Sequence, residues 1–280
     1  MKSKYLMAIL VWFPFWLQAQ QFSTIHLKPG TRYVKTSYVQ ATTTMKLYGQ
    51  DYTYSVVADM QTDYDVVSNS ARGYNIRITL ESINSQLSSN GVKMSFNSKK
   101  DTLNDTDSIF AKPLSDILGE TDNLWVDSLG EILLSDTSAL HRKANEYVTS
   151  TLLLGNDYSV GKKLDIIFDF RDSLKTGATW SDSVQYGEGF RVDTFRIEKI
   201  FNKIVYVSVK GKVNRTLPVQ QGGTLALAHF NGFTESTLQV SQSSGIIKNR
   251  VMKTRIQSKI NIDKAEIPIS SEIQLNEVVQ

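Results

Sequence analysis

The sequence predicts a mainly β protein, a curved antiparallel sheet or sheets with one amphipathic helix near residues 138–152, and three observations predict it. Apolar and polar residues alternate with period two over most of the 280 positions. Gly and Asn turn signals separate the alternating runs. Helical spacing of apolar residues is sustained over several turns in one segment alone.

The elements follow in chain order. Lys2 and Lys4 precede an apolar run from Tyr5 to Leu17, and Ala19 offers a small residue for cleavage. This is the layout of a secretory signal peptide, so residues 1–19 are expected to be a leader and residues 20–280 a single β-rich domain. About 13 apolar residues broken by Pro14 are too few for a membrane-spanning helix, which needs roughly 20. An aromatic-opened strand is expected after the Pro29-Gly30 turn. Tyr74, Ile76, Ile78 and Leu80 alternate with Asn75, Arg77, Thr79 and Glu81, which describes a strand with one dry face. Turns are expected at residues 69–73 and 88–91, and a long polar loop at 99–108. Pro113 suits the start of a one-turn helix through Leu118, with Gly119 as its stop.

Behind the capping residues Asp136, Thr137 and Ser138, the positions Leu140, Ala144, Tyr147, Val148, Thr151 and Leu152 recur at helical spacing, which predicts the 138–152 helix. Beyond it, Leu164, Ile166, Phe168 and Phe170 predict a strand. So do Val205, Val207, Val209 and Val213, after an Asn202-Lys203 turn. Gly222-Gly223 marks another turn. Met252, Ile256, Ile260 and Ile262 share the last dry face.

Two motif pairs suggest an internal repeat. Lys28-Pro29-Gly30-Thr31-Arg32-Tyr33 is similar to Lys175-Thr176-Gly177-Ala178-Thr179-Trp180, and Asp127-Ser128-Leu129-Gly130-Glu131-Ile132-Leu133 to Gln242-Ser243-Ser244-Gly245-Ile246-Ile247-Lys248. Both pairs occur in the same order. One reading is two related halves, about 22–135 and 160–270, joined by the helical segment, with about 30 extra residues in the first half near the 99–108 loop. The other is chance recurrence of glycine turns before aromatics.

Composition excludes several chemistries. There is no cysteine, which removes disulfides, thiolate metal sites, cysteine nucleophiles and a cysteine-linked lipid anchor. Removing the leader's two lysines leaves 29 basic against 28 acidic residues, too even a balance to argue for nucleic acid. His26, His141 and His229 have no metal-ligand spacing, and no cofactor or dinucleotide signature is present. No Gly-x-Ser-x-Gly elbow points to a serine hydrolase. The carboxylates Glu81, Asp127, Glu131, Asp165, Asp169, Asp182, Glu188, Asp193 and Glu198 lie on or near expected strands, but glycan hydrolysis needs two of them across a cleft. Trp125 and Trp180 suit a core. Tyr33, Tyr38, Tyr48, Tyr52, Tyr54 and Tyr64 crowd the first segment and suit half-buried sheet.

The two motif pairs, with the Ala-Gln ending of the leader, resemble a family of exported Bacteroidota proteins that share a domain of unknown function. That resemblance implies export and β architecture and carries over no catalytic residue. The function expected is a noncatalytic binding or carrier module of the bacterial envelope, periplasmic or secreted, without a membrane span in the mature chain. Its partner would be a hydrophobic small molecule, a glycan or an envelope protein. The alternatives are a structural or protein-interaction component and, more remotely, a carboxylate-based glycan hydrolase. Candidate ligand-lining residues are Tyr52, Tyr54, Tyr74, Ile76, Phe168, Phe195, Tyr206 and Val240, with no catalytic or metal-ligating residue among them.

Overall fold

The computed structural model describes residues 25–47, 49–100, 110–136, 158, 160–170, 174–186, 189–221, 224–262 and 265–280. The first run comprises β1 (Arg32–Leu47), β2 (Gln50–Ser70), β3 (Gly73–Ser89), β4 (Val92–Asn97), the short helix α1 (Ala111–Asp116), β5 (Thr121–Val126) and β6 (Ile132–Ser135). The second comprises β7 (Thr179–Tyr186), β8 (Gly189–Phe201), β9 (Ile204–Gln221), β10 (Thr224–Ser241), β11 (Ile247–Ile262) and β12 (Ala265–Val279). All twelve strands form one antiparallel sheet in the order β6-β5-β3-β2-β1-β12-β11-β10-β9-β8-β7, with β4 paired to the far end of β3. The mainly β expectation therefore holds, as a single open sheet.

Turn chemistry sets the hairpins. Asn90 and Gly91 hold φ of 48° and 83° between β3 and β4, and Asn202 and Lys203 hold 49° and 61° between β8 and β9. Positive φ at both central residues is what a tight hairpin turn requires. The helix expected from Pro113 is α1, which begins two residues earlier, with Pro113 in its first turn where a missing N–H costs nothing. The helix expected at 138–152 and most of the 99–108 loop lie outside the described residues.

One expectation needs correction. Residues 164–170 are not a strand of the sheet. They belong to an irregular strap, residues 160–170, whose ladder pairing with the rest is limited, among the described residues, to isolated bridges at Lys163 and Ile167. The strap crosses the core-bearing face from β6 to β7. Leu164, Ile166 and Phe170 are almost fully buried against the sheet, each worth about 1.5–3 kcal/mol when removed from water. An extended chain alternates whether its neighbours are strands or a sheet face beneath it, so periodicity alone could not tell the two apart.

β1-β2-β3-β5-β6 and β7-β8-β9-β10-β11 are meanders with the same neighbour order, and the first contains β4 and α1 as an insertion. Gly30 and Gly177 open the two runs with φ of 79° and 84°. Gly30 N–H donates to Val66 O and Gly177 N–H to Ile197 O, both at 2.8 Å. Val66 N–H in turn donates to Thr31 O, and Ile197 N–H to Ala178 O. The strap meets both halves alike. Leu164 N–H donates to Gly130 O while Ile132 N–H donates to Lys162 O; four residues on, Phe168 N–H donates to Gly245 O while Ile247 N–H donates to Ile166 O.

The apolar core lies on one face in three clusters. The first joins Tyr64, Val66, Ile76, Ile78, Leu124, Val126 and Ile132 to the strap's Leu164, Ile166 and Ile167. The second packs Phe110, Leu114 and Ile117 of the α1 region over Val39, Val56, Ala58, Ile83 and Leu87. The third sets Phe168 and Phe170 on Ile197, Val205, Val207 and Val240. This inner face is also the crowded one. A Cβ at Gly211 would stand 2.5 Å from Asp193 Oδ1, and one at Gly232 would stand 2.7 Å from Val213 Cγ1. Glycine at these inward positions lets neighbouring strands close on the inner side.

Candidate functional site

Two features of the inner face could matter chemically. The first is a buried charge network where the strap crosses β1 and β12. Lys35 on β1, only 4% exposed, bonds through Nζ to the Asp165 carboxylate of the strap and lies 3.6 Å from Glu277 Oε1 on β12. Tyr64 OH donates to Asp165 at 2.9 Å and sits 3.4 Å from Tyr158 OH. Arg250 of β11 donates from one Nη to Glu277 Oε2 and from the other to the Asp165 backbone oxygen, both at 2.8 Å. Ser37 Oγ donates to Glu277 Oε1 at 3.2 Å.

Burial alone would push the Lys35 ammonium down, but the Asp165 and Glu277 carboxylates outweigh it and hold the group above its ordinary value. Burial, then the Asp165 charge, push both the Tyr64 and Tyr158 hydroxyls well up. A lysine held charged and tyrosines held neutral offer neither a base nor a nucleophile near neutral pH. The network fastens the strap to the seam between the halves.

The second feature is the inner face beyond the strap. In the first half, the β4–α1 insertion covers it. The second half has no counterpart between β9 and β10, where the hairpin closes from Gln221 to Thr224. Val213, Phe230, Ile256, Ile269 and Met45 are all half-buried there. Register makes them neighbours: Val213 faces Gly232, which faces Ile256, while Phe230 faces Ser258, which faces Ile269, which faces Met45. Hydroxyl pairs border the apolar lane on one side, Thr234 with Thr254 at 3.0 Å and Thr43 with Ser271 at 2.8 Å. Ala228 and Ile267, both buried, border it on the other. Ser258, 4% exposed, presents an Oγ with no hydrogen-bond partner in mid-lane.

The residues selected from sequence are dispersed. Ile76 belongs to the first core cluster and Val240 to the third, both sealed. Tyr74 packs at the edge of the first cluster and donates its hydroxyl to Ile25 O at 2.8 Å. Phe168 lies in the strap, and Phe195 stacks on Trp180 with ring centroids 5.4 Å apart. Tyr206 faces the outer side, under Lys199 Nζ at 4.2 Å. Tyr54 packs against the second cluster, while Tyr52 faces Met45 at the end of the apolar lane. Of the eight, then, Tyr52 alone adjoins the lane.

Among the candidate carboxylates, Asp182 and Asp193 are direct cross-strand partners, with Asp193 held by Arg191 Nε at 2.8 Å. Asp165 and Asp169 are engaged by Lys35 and Lys163. Sequence reasoning missed Lys35 and Glu277, although a charged residue in phase with Tyr33 and Val39, or with Leu275 and Val279, is a detectable anomaly on a dry face.

No family model and no curated protein matches the chain. Among solved structures the chain is similar to lipovitellin, from a structure concerned with lipid–protein interactions, with a TM-score of 0.46 and 13% identity over 91% of this chain and 26% of that one. It is also similar to an outer-membrane channel from Pseudomonas putida F1, with a TM-score of 0.26 and 8% identity over 92% of this chain and 98% of that one. The chain thus spans about a quarter of the length of the lipovitellin chain it matches.

Proposed function

We propose that the protein is a noncatalytic binding module of the bacterial envelope that holds an apolar ligand along the inner face of β9, β10, β11, β12 and β1. One observation carries this reading: of two meanders with the same strand order, one has its inner face covered by β4 and α1, while the other presents Val213, Phe230, Ile256 and Ile269 half-buried with no such cover among the described residues. A contiguous apolar surface with a few hydroxyls at its border is the usual composition of a small-molecule site. The charged groups of the strap network are satisfied by one another and leave no reactive group to suggest turnover. Export, with cleavage after Ala19, is part of the same proposal.

The test is titration of the purified protein with a hydrophobic fluorophore, together with mass spectrometry of small molecules extracted from it. Saturable binding is expected, reduced at least tenfold by Ile256→Gln and unaffected by Phe233→Gln. Phe233 is 60% exposed on the outer face and serves as the control. Equal loss in both variants, or binding that never saturates, would defeat the reading.

A further inference from the structure

We infer that the ligand is a single lipid acyl chain lying across the strands rather than along them, an inference that rests on the binding reading above and specifies its chemistry. The lane from Val213 on β9 to Met45 on β1 crosses four strand spacings, about 19 Å at roughly 4.8 Å each. Half of a bilayer's hydrocarbon core, the span of one acyl chain of an ordinary membrane lipid, is about 15 Å. Length therefore fits one such chain, where a compact polycyclic ligand would leave an end of the lane empty.

Width points the same way. The hydroxyl pairs Thr234–Thr254 and Thr43–Ser271 close one side, and on the other lie Ala228 and Ile267, already buried, with the half-buried Ile260 between them. Between them the apolar side chains form a path one to two register rows wide, from Val213 and Ile256 to Ile269 and Met45. Met45, unbranched and adaptable, can repack over a flexible chain. Ser258 Oγ, buried in mid-lane without a partner, is a polar atom on the path; its hydroxyl makes a fully occupied lane weakest at its centre.

The experiment is displacement of the bound fluorophore by straight-chain fatty acids of eight to eighteen carbons. Affinity is expected to rise about four-fold per added methylene, the value of burying one CH₂, and then to level off once the chain outgrows the lane. Met45→Trp, which blocks the β1 end, is expected to move the levelling point to a shorter chain while leaving the shortest acids unchanged. Ser258→Val is expected to strengthen binding of the longer acids.

A fluorophore that binds but is displaced equally by all chain lengths would overturn the acyl-chain inference and leave the binding reading standing. Absence of any fluorophore binding would sink both. Displacement by vesicles of diacyl phospholipid but not by fatty acids would overturn the single-chain assignment. Thermal melts of each variant separate loss of the lane from loss of the fold.

Discussion

Asp122 on β5 is fully buried on the inner face, and neither of its carboxylate oxygens has a hydrogen-bond partner. Burial first, then the charges of Asp136 and Glu120, raise it from 3.8 to about 6. The raised value means the folded state holds this proton more tightly than the unfolded chain does. Its effect on stability is absent below about pH 4, where both states are protonated, and grows into a penalty as pH rises through 6. At neutral pH the cost is of order 2–3 kcal/mol. Asp122→Asn is expected to abolish that fall, which urea unfolding at pH 4 and pH 7 would show.

Lys35 is the opposite case, a buried charge with carboxylate partners on two elements, the strap and β12. Lys35→Met removes the buried cation that Asp165 and Glu277 share and is expected to cost about 3–5 kcal/mol, whereas Lys35→Met combined with Asp165→Asn should recover part of the loss. Denaturant midpoints of the three proteins check this. Both sites were only half legible in the sequence. A charge on a dry face can be seen from alternation, but which distant charge it meets depends on where the strap crosses.

At the level of elements, hairpins were the most legible feature because Asn-Gly and Asn-Lys turns specify their own backbone angles. The strap was misread because its alternation is real and only its neighbours differ. The four glycines of the two motif pairs each hold a positive φ just ahead of a strand. Gly130 shows why its position admits no other residue: it holds φ of 83°, and a Cβ there would stand 2.5 Å from Ile167 Cγ2 of the strap. Gly130→Ala is expected to cost roughly 1–3 kcal/mol from the backbone angle, with displacement of the strap in addition. Hydrogen exchange should then report faster opening at Ile132 and Leu164, whose amides bond across that junction. The apolar lane was the least legible element of the site. It is assembled from residues on five strands, and alternation names a dry face without saying which part of it is left uncovered.

For the molecule as a whole, the consequential pairing is that of β1 with β12, which joins two meanders into one sheet through registers such as Lys35 with Val279. Contacts so distant in sequence form slowly, because the intervening chain must be ordered before they are rewarded. During synthesis β12 emerges after every other strand of the sheet. Until it does, β1 and β11 are two naked edges of opposite meanders, each offering a row of unpaired amides and carbonyls to any extended chain nearby. The protein is therefore its own acceptor for a donated strand. A chain ending at Ile262 is expected to aggregate through those edges, and a synthetic peptide of residues 265–280 added during refolding is expected to restore soluble protein by filling the gap, as read by light scattering and by co-elution of the peptide.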